Sequence, residues 1–193
     1  MGPFRDRGTA AVAAATTAAL AAMEVADVTT RTTGNDRVRD AGTGPRFGAA
    51  TGVAIATGTA SLLRRPAGTF PRSRSRFLAG IALTWLGIGC NRWARATLGS
   101  QYRPVVAVRD DHEVVATGPY RLVRHPMYLG SLLICAGIGL ALDSRLARAA
   151  WWLGPPTALV QRIRVEESVL VEELGDAYGT FAATRARLVP GLW

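Results

Sequence analysis

Apolar residues in this chain gather into runs separated by groups of arginine. Crossing the hydrocarbon core of a bilayer takes about 20 helical residues. Runs of that order occupy residues 9–28, 47–63, 77–98, 127–142 and 146–160. The first is rich in alanine, follows Arg5 and Arg7, and carries Glu24 and Asp27 near its end, a pattern that a secretory leader would share. In the second, glycine, alanine and threonine would permit close helix approach within a bilayer. The third ends in NRWARATLG, where Trp93 between Arg92 and Arg95 suits a membrane–water interface. Only Asp143, Ser144 and Arg145 stand between the last two runs, so these should form a helical hairpin.

Two further features qualify the pattern. Pro155 and Pro156 remove two amide donors from the fifth run and are expected to kink or thin it unless neighbours satisfy the freed carbonyls. Beyond them, residues 161–174 set Arg162, Arg164, Glu166, Glu167, Glu172 and Glu173 among Ile163, Val169, Leu170 and Leu174, an amphipathic helix leaving the bilayer. Residues 104–117 carry Val105, Val106 and Val108, then Val114 and Val115 across Asp110 and Asp111, which fits a short hairpin or extended loop. The expected fold is all-α: a polytopic integral membrane protein of about five transmembrane helices, folded as one unit.

Composition refines this picture in one respect. Hydrophobic residues make up 49% of the chain, yet mean hydropathy is only +0.15, because arginine punctuates the apolar runs. All 23 basic residues are arginine and none is lysine, which reflects a GC-rich genome more than local chemistry. A net charge of +9 would suit nucleic acid, but the arginines lie between apolar runs and no docking motif accompanies them. No nucleic-acid partner is expected. Counted over alternate loops, they place the C-terminus in the cytoplasm, with the chain in the plasma (inner) membrane. Cys90 and Cys135 sit inside apolar runs as small hydrophobes, and with His112 and His125 the only histidines no metal site is expected.

Candidate chemistry is concentrated in two blocks. TGPYRLVRHPMYLG covers residues 117–130, just ahead of an apolar run. Gly118 and Pro119 force a turn, and Pro126 starts a helix whose first amides are free to meet an anion. Tyr120 and Tyr128 offer faces to a sulfonium cation or an adenine ring, and Arg124 and His125 offer donors to a carboxylate. An interfacial belt anchoring a helix end would use the same residue types. In the second block, RIRVEESVL, Arg162 and Glu166 stand one turn apart on a shared helix face. Glu166 and Glu167 point about 100° apart, so one can pair with arginine while the other faces a pocket.

These blocks resemble the isoprenylcysteine carboxyl methyltransferase family and the related phospholipid N-methyltransferases. The resemblance runs from about Asn91 to Trp193. It rests on Gly118-Pro119-Tyr120, on Arg124 to Tyr128 with Gly130, on Arg162 with Glu166, Glu167 and Leu170, and then on Gly175, Tyr178, Phe181, Arg187 and Pro190. Family members often carry tyrosine where this chain has Phe181. The apolar runs place N-terminal membrane helices in residues 1–90, and the resemblance implies 91–193 as the methyltransferase region. It implies S-adenosylmethionine bound without a Rossmann fold, near the cytosolic interface. Gly118, Tyr120, Arg124, His125, Pro126, Tyr128, Glu166 and Glu167 would contact the cofactor. Arg162 would orient a lipid-like or prenylated acceptor, with Glu167 as the second catalytic candidate. Arg187 is a weaker acceptor candidate, since it could instead pair with Glu172 or Glu173 or lie among headgroups. Two other readings use the same residues: an NADPH-dependent membrane reductase of the sterol type, and a non-catalytic lipid-binding protein. The reductases carry a Gly-Glu pair after HPNY, where this chain has Gly130 and Ser131.

Overall fold

The computed structural model describes residues 37–64, 72–102, 107–108, 114–191 and 193. The expected apolar run at 9–28 lies outside the described residues. The other four runs are helices: α1 (Thr43–Leu63), α2 (Arg74–Leu98), α3 (Pro126–Ala141) and α4 (Arg145–Ala183). Single turns of tighter helix cover Gly99–Gln101 and Gly118–Arg121. Ala107–Val108 is extended, as its β-branched neighbourhood suggests. Its antiparallel partner is Arg37–Val38, ahead of α1, and not the valines at 114–115.

The main helix contacts run in the order α2, α3, α4, α1. A seam of small residues holds the first pair. Gly80, Thr84, Gly87 and Asn91 are buried along one face of α2, and Gly130 and Gly137 are buried on α3. A Cβ built on Gly87 would lie 2.5 Å from the Gly130 carbonyl oxygen, and one on Gly80 would lie 2.6 Å from that of Gly137. The order of partners reverses, so the helices are antiparallel and their backbones touch. The hairpin expected at Asp143–Arg145 is present. Ser144 caps α4 by accepting from the Ala147 amide at 3.3 Å. Asp143 accepts from the Arg72 amide at 2.8 Å and from the Arg76 side chain, tying the start of α2 to the turn.

The helix continues through Pro155 and Pro156. The backbone there is helical, and Pro155 is fully buried along the stretch of α4 that follows Trp151, itself packed with Ala54 and Cys135. The break falls twenty residues later at Gly175, whose φ of 52° and ψ of −128° strain any residue with a Cβ.

Among the described residues, no helix is long and apolar enough to cross a membrane. The expectation of about five spans therefore finds no support from the helices taken singly. α3 is apolar but has 16 residues, whereas α2 has 25 but carries Arg74, Arg76, Arg92 and Arg95. Large apolar side chains are nevertheless exposed: Val53 and Leu63 on α1, Leu78, Trp85 and Leu86 on α2, Leu146 and Leu153 on α4.

The seam gives a direct prediction. Gly87→Val would force the α2 and α3 backbones apart and is expected to cost about 1–3 kcal/mol, the usual range for overpacking, read as a lowered unfolding midpoint. Gly89→Ala on the same helix meets nothing within 4 Å and is expected to leave the midpoint unchanged or raise it slightly.

Candidate functional site

The segment before α3 is shaped by one glycine and strapped by the C-terminus. Gly118 has φ of 53°, and a Cβ on it would lie 2.6 Å from the Thr97 hydroxyl, so no other residue fits. The turn sends Tyr120 into an apolar cluster with Ala94, Tyr178 and Phe181. The next residues run beside the C-terminal segment. The Arg124 amide donates to the Ala186 carbonyl at 2.9 Å and the His125 amide to that of Arg187 at 3.0 Å. The break at Gly175 allows the chain to return this far, and the return sets Arg187 beside α4.

Glu167, 8% exposed, is the centre of the first polar network. Its carboxylate takes Arg124 Nη1 at 3.1 Å, His125 Nε2 at 3.2 Å and Arg187 Nε at 2.6 Å. The Tyr178 hydroxyl donates to it at 3.5 Å. His125 therefore carries a hydrogen on Nε2. Burial pushes the Glu167 carboxyl up, but hydrogen bonds from His125 and Arg187 and the charge of Arg124 outweigh it and hold the group at about 2.

Glu166 belongs to a second network on the adjoining face. The Tyr128 hydroxyl donates to Glu166 Oε2 and accepts from Arg162 Nε at 3.0 Å. Arg162 Nη1 also pairs with Asp40 Oδ1 at 3.1 Å. Asp40 in turn accepts from the Gly44 amide at 2.8 Å and from the Thr43 hydroxyl, closing the first turn of α1. The His125 and Tyr128 rings lie 5.6 Å apart between centroids and join the two networks.

The fold thus gathers Arg124, His125, Tyr128, Arg162, Glu166, Glu167 and Arg187. Pro126 opens α3 as expected, and the N-cap residue His125 makes no side-chain cap to that helix start. Arg124 Nε is buried without a hydrogen-bond partner. Tyr120 is set apart in the apolar cluster. Arg187 meets Glu167 instead of Glu172 or Glu173, which Arg39 engages at 2.9 and 3.0 Å. Each glutamate of the pair faces its own set of partners, as their angular separation implied, and both meet protein side chains. Sequence reasoning missed Asp40 and assigned no role to Tyr178. Asp40 had a signal, since an acid followed by Thr43 and Pro45 marks a helix start. Its pairing with Arg162, 122 residues away, had none.

The sequence matches the family model described as "Phospholipid methyltransferase" over residues 75–177, more than half of the 193 residues. The chain belongs to the phospholipid methyltransferase family. The matched region runs from the start of α2 to just past Gly175, so within this family match lie Arg124, His125, Tyr128, Arg162, Glu166 and Glu167. Asp40 and Arg187 fall outside it. The chain is similar to a "Probable protein-S-isoprenylcysteine O-methyltransferase" of Oryza sativa subsp. indica, 30% identical over 105 residues, 53% of this chain and 55% of that one. It is similar also to the protein-S-isoprenylcysteine O-methyltransferase of Dictyostelium discoideum, 27% identical over 60% of this chain and 52% of that one. The chain thus spans about half the length of these relatives. A solved eukaryotic intramembrane Ras methyltransferase, isoprenylcysteine carboxyl methyltransferase, shares the fold with a TM-score of 0.63. Identity to it is 24%, over 77% of this chain and 53% of that one.

The Glu167 network has a pH signature. Folding holds this carboxyl below its ordinary value of 4.5, so the stabilisation is fully present above about pH 4.5 and is lost as pH falls towards about 2. Unfolding measured along an acid titration is expected to lose that component in this window, and Glu167→Gln to abolish it. At neutral pH Glu167→Ala should cost about 3 kcal/mol, because Arg124 then loses its counter-charge and the buried His125 Nε2–H its acceptor.

Proposed function

We propose that this chain is an S-adenosylmethionine-dependent methyltransferase of membranes that acts on a lipid-like or prenylated acceptor. The observation that carries the reading is the pairing of an uncapped helix start at Pro126 with the buried, unpartnered Nε of Arg124. That combination suits the carboxylate of a methionine group. S-adenosylmethionine supplies the methyl group, on a sulfonium.

The chain's own residues divide the remaining work. The first amides of α3 and Arg124 hold the carboxylate end of the donor, with the backbone at Gly118 shaping the turn beneath it. His125 and Tyr128 set ring faces beside the cationic sulfonium, and Tyr120 supports that wall from the apolar cluster. Glu167 is saturated by Arg124, His125, Arg187 and Tyr178, so it acts as the anchor that fixes the donor-binding residues. A carboxyl held at about 2 keeps no proton at neutral pH and is a poor proton acceptor. Glu166 or His125 would take the proton when the acceptor is an amine or hydroxyl, whereas a carboxylate acceptor needs no base. Arg162 orients the acceptor. In-line transfer then asks mainly for alignment and exclusion of water.

The exposed apolar side chains of α1, α2 and α4 favour a bilayer around this bundle, with the arginine-rich loops and the C-terminus on the cytoplasmic side of the inner membrane. The matched relatives bear the name isoprenylcysteine O-methyltransferase, which makes a prenylated acceptor the first to try.

Titration calorimetry in nanodiscs is the deciding experiment. The wild-type chain is expected to bind S-adenosylhomocysteine saturably and to ignore NADPH. Arg124→Gln should weaken binding about tenfold or more, the value of a hydrogen bond to a charged group. A folded chain that binds NADPH in place of the methyl donor would overturn the proposal.

A further inference from the structure

The ion pair between Asp40 and Arg162 joins α1 to the candidate site from outside the region matched by the family model. Arg162 is almost wholly buried, with 9% of its side chain exposed, and Asp40 is 13% exposed. Asp40 is itself immobilised, because its carboxylate accepts from the Gly44 amide and the Thr43 hydroxyl at the start of α1. The approach depends on a missing side chain. A Cβ on Gly44 would lie 2.9 Å from Asp40 Oδ2 and 3.2 Å from Arg162 Nη1.

The direction of the hydrogen bonds follows. Arginine has donors and no acceptor, so Arg162 Nε–H must point at the Tyr128 oxygen while its Nη1–H points at Asp40. The Tyr128 hydrogen is thereby committed to Glu166. Arg162 thus donates in two directions, to Asp40 on one side and to the Tyr128 oxygen on the other, and Tyr128 passes the series on to Glu166. We infer that Asp40 is a positioning residue for methyl transfer, acting through Arg162 to fix the Tyr128 hydroxyl and Glu166 on the acceptor side. This rests on the methyltransferase reading and extends it to a residue ahead of α1.

The test uses the full chain in nanodiscs with S-farnesylcysteine as probe acceptor and labelled S-adenosylmethionine. Asp40→Asn keeps a good helix cap but removes the charge that holds Arg162. It is expected to lower kcat about tenfold, the scale of a small misalignment, with the affinity for S-adenosylhomocysteine within about twofold of wild type. In an Arg162→Gln background, Asp40→Asn should have little further effect. Arg39→Gln, which cuts only the surface pairs to Glu172 and Glu173, should leave kcat unchanged. A readout independent of turnover is the ring Cζ resonance of labelled Tyr128, assigned with Tyr128→Phe. Asp40→Asn should shift it and Arg39→Gln should not.

An unshifted resonance, an unchanged kcat, or losses from Asp40→Asn and Arg162→Gln that add in full would each overturn the inference. So would equal losses from Asp40→Asn and Arg39→Gln. A wild-type chain that binds no methyl donor would instead overturn the methyltransferase reading, and the positioning role with it. The two failures are therefore distinguishable.

Discussion

Glu167 draws three parts of the chain onto one carboxylate: Arg124 and His125 from the segment before α3, Tyr178 from beyond the Gly175 break, and Arg187 from the returning C-terminus. Buried charge is tolerated only when it is paired and hydrogen-bonded. Satisfying this one carboxylate therefore fixes where each of those segments can lie. The positive φ of Gly175 permits the return, and the amide pairs from Arg124 and His125 to Ala186 and Arg187 lock it. His125 makes no side-chain cap at the start of α3, and Arg124 Nε is buried without a hydrogen-bond partner among the described residues.

A second constraint comes from the glycine seam. With the α2 and α3 backbones in contact at Gly87 and Gly130, Asn91 and Cys90 reach the first turns of α3, and the Cys90 thiol donates to the Pro126 carbonyl at 3.3 Å. The helix that opens the site is thus set in place by its neighbour's lack of side chains. Close contact between glycine-rich helices is a familiar solution in bilayers, where packing replaces the hydrophobic drive.

The two carboxylates of one dipeptide do different work because a helix turns by about 100° per residue. Glu167 faces cations and is held ionised, while Glu166 faces a tyrosine hydroxyl that an arginine also engages. On the reading proposed above, the first keeps the donor side rigid and the second lies on the acceptor side. Asp40 ties the acceptor side to α1, so the helices that lie farthest from α3 in the packing order still bear on the site.

The sequence by itself determined the helices, their ends and the residue types of the site. Those follow from local rules: apolar runs, the short turn at Asp143–Arg145, Pro126 at a helix start, and the angular offset of Glu166 and Glu167. It also carried the family resemblance, because Arg124 to Tyr128 and Arg162 to Glu167 are short contiguous blocks. The tertiary structure alone decided which arginine meets which acid. Arg187 reaches Glu167 only because the chain reverses after Gly175, and Asp40 reaches Arg162 only because Gly44 leaves room. Pro155 and Pro156 break no helix, and the backbone of α4 stays helical through both. Long-range pairing of charges depends on where the backbone returns, and a pattern of residue types carries no coordinate for that.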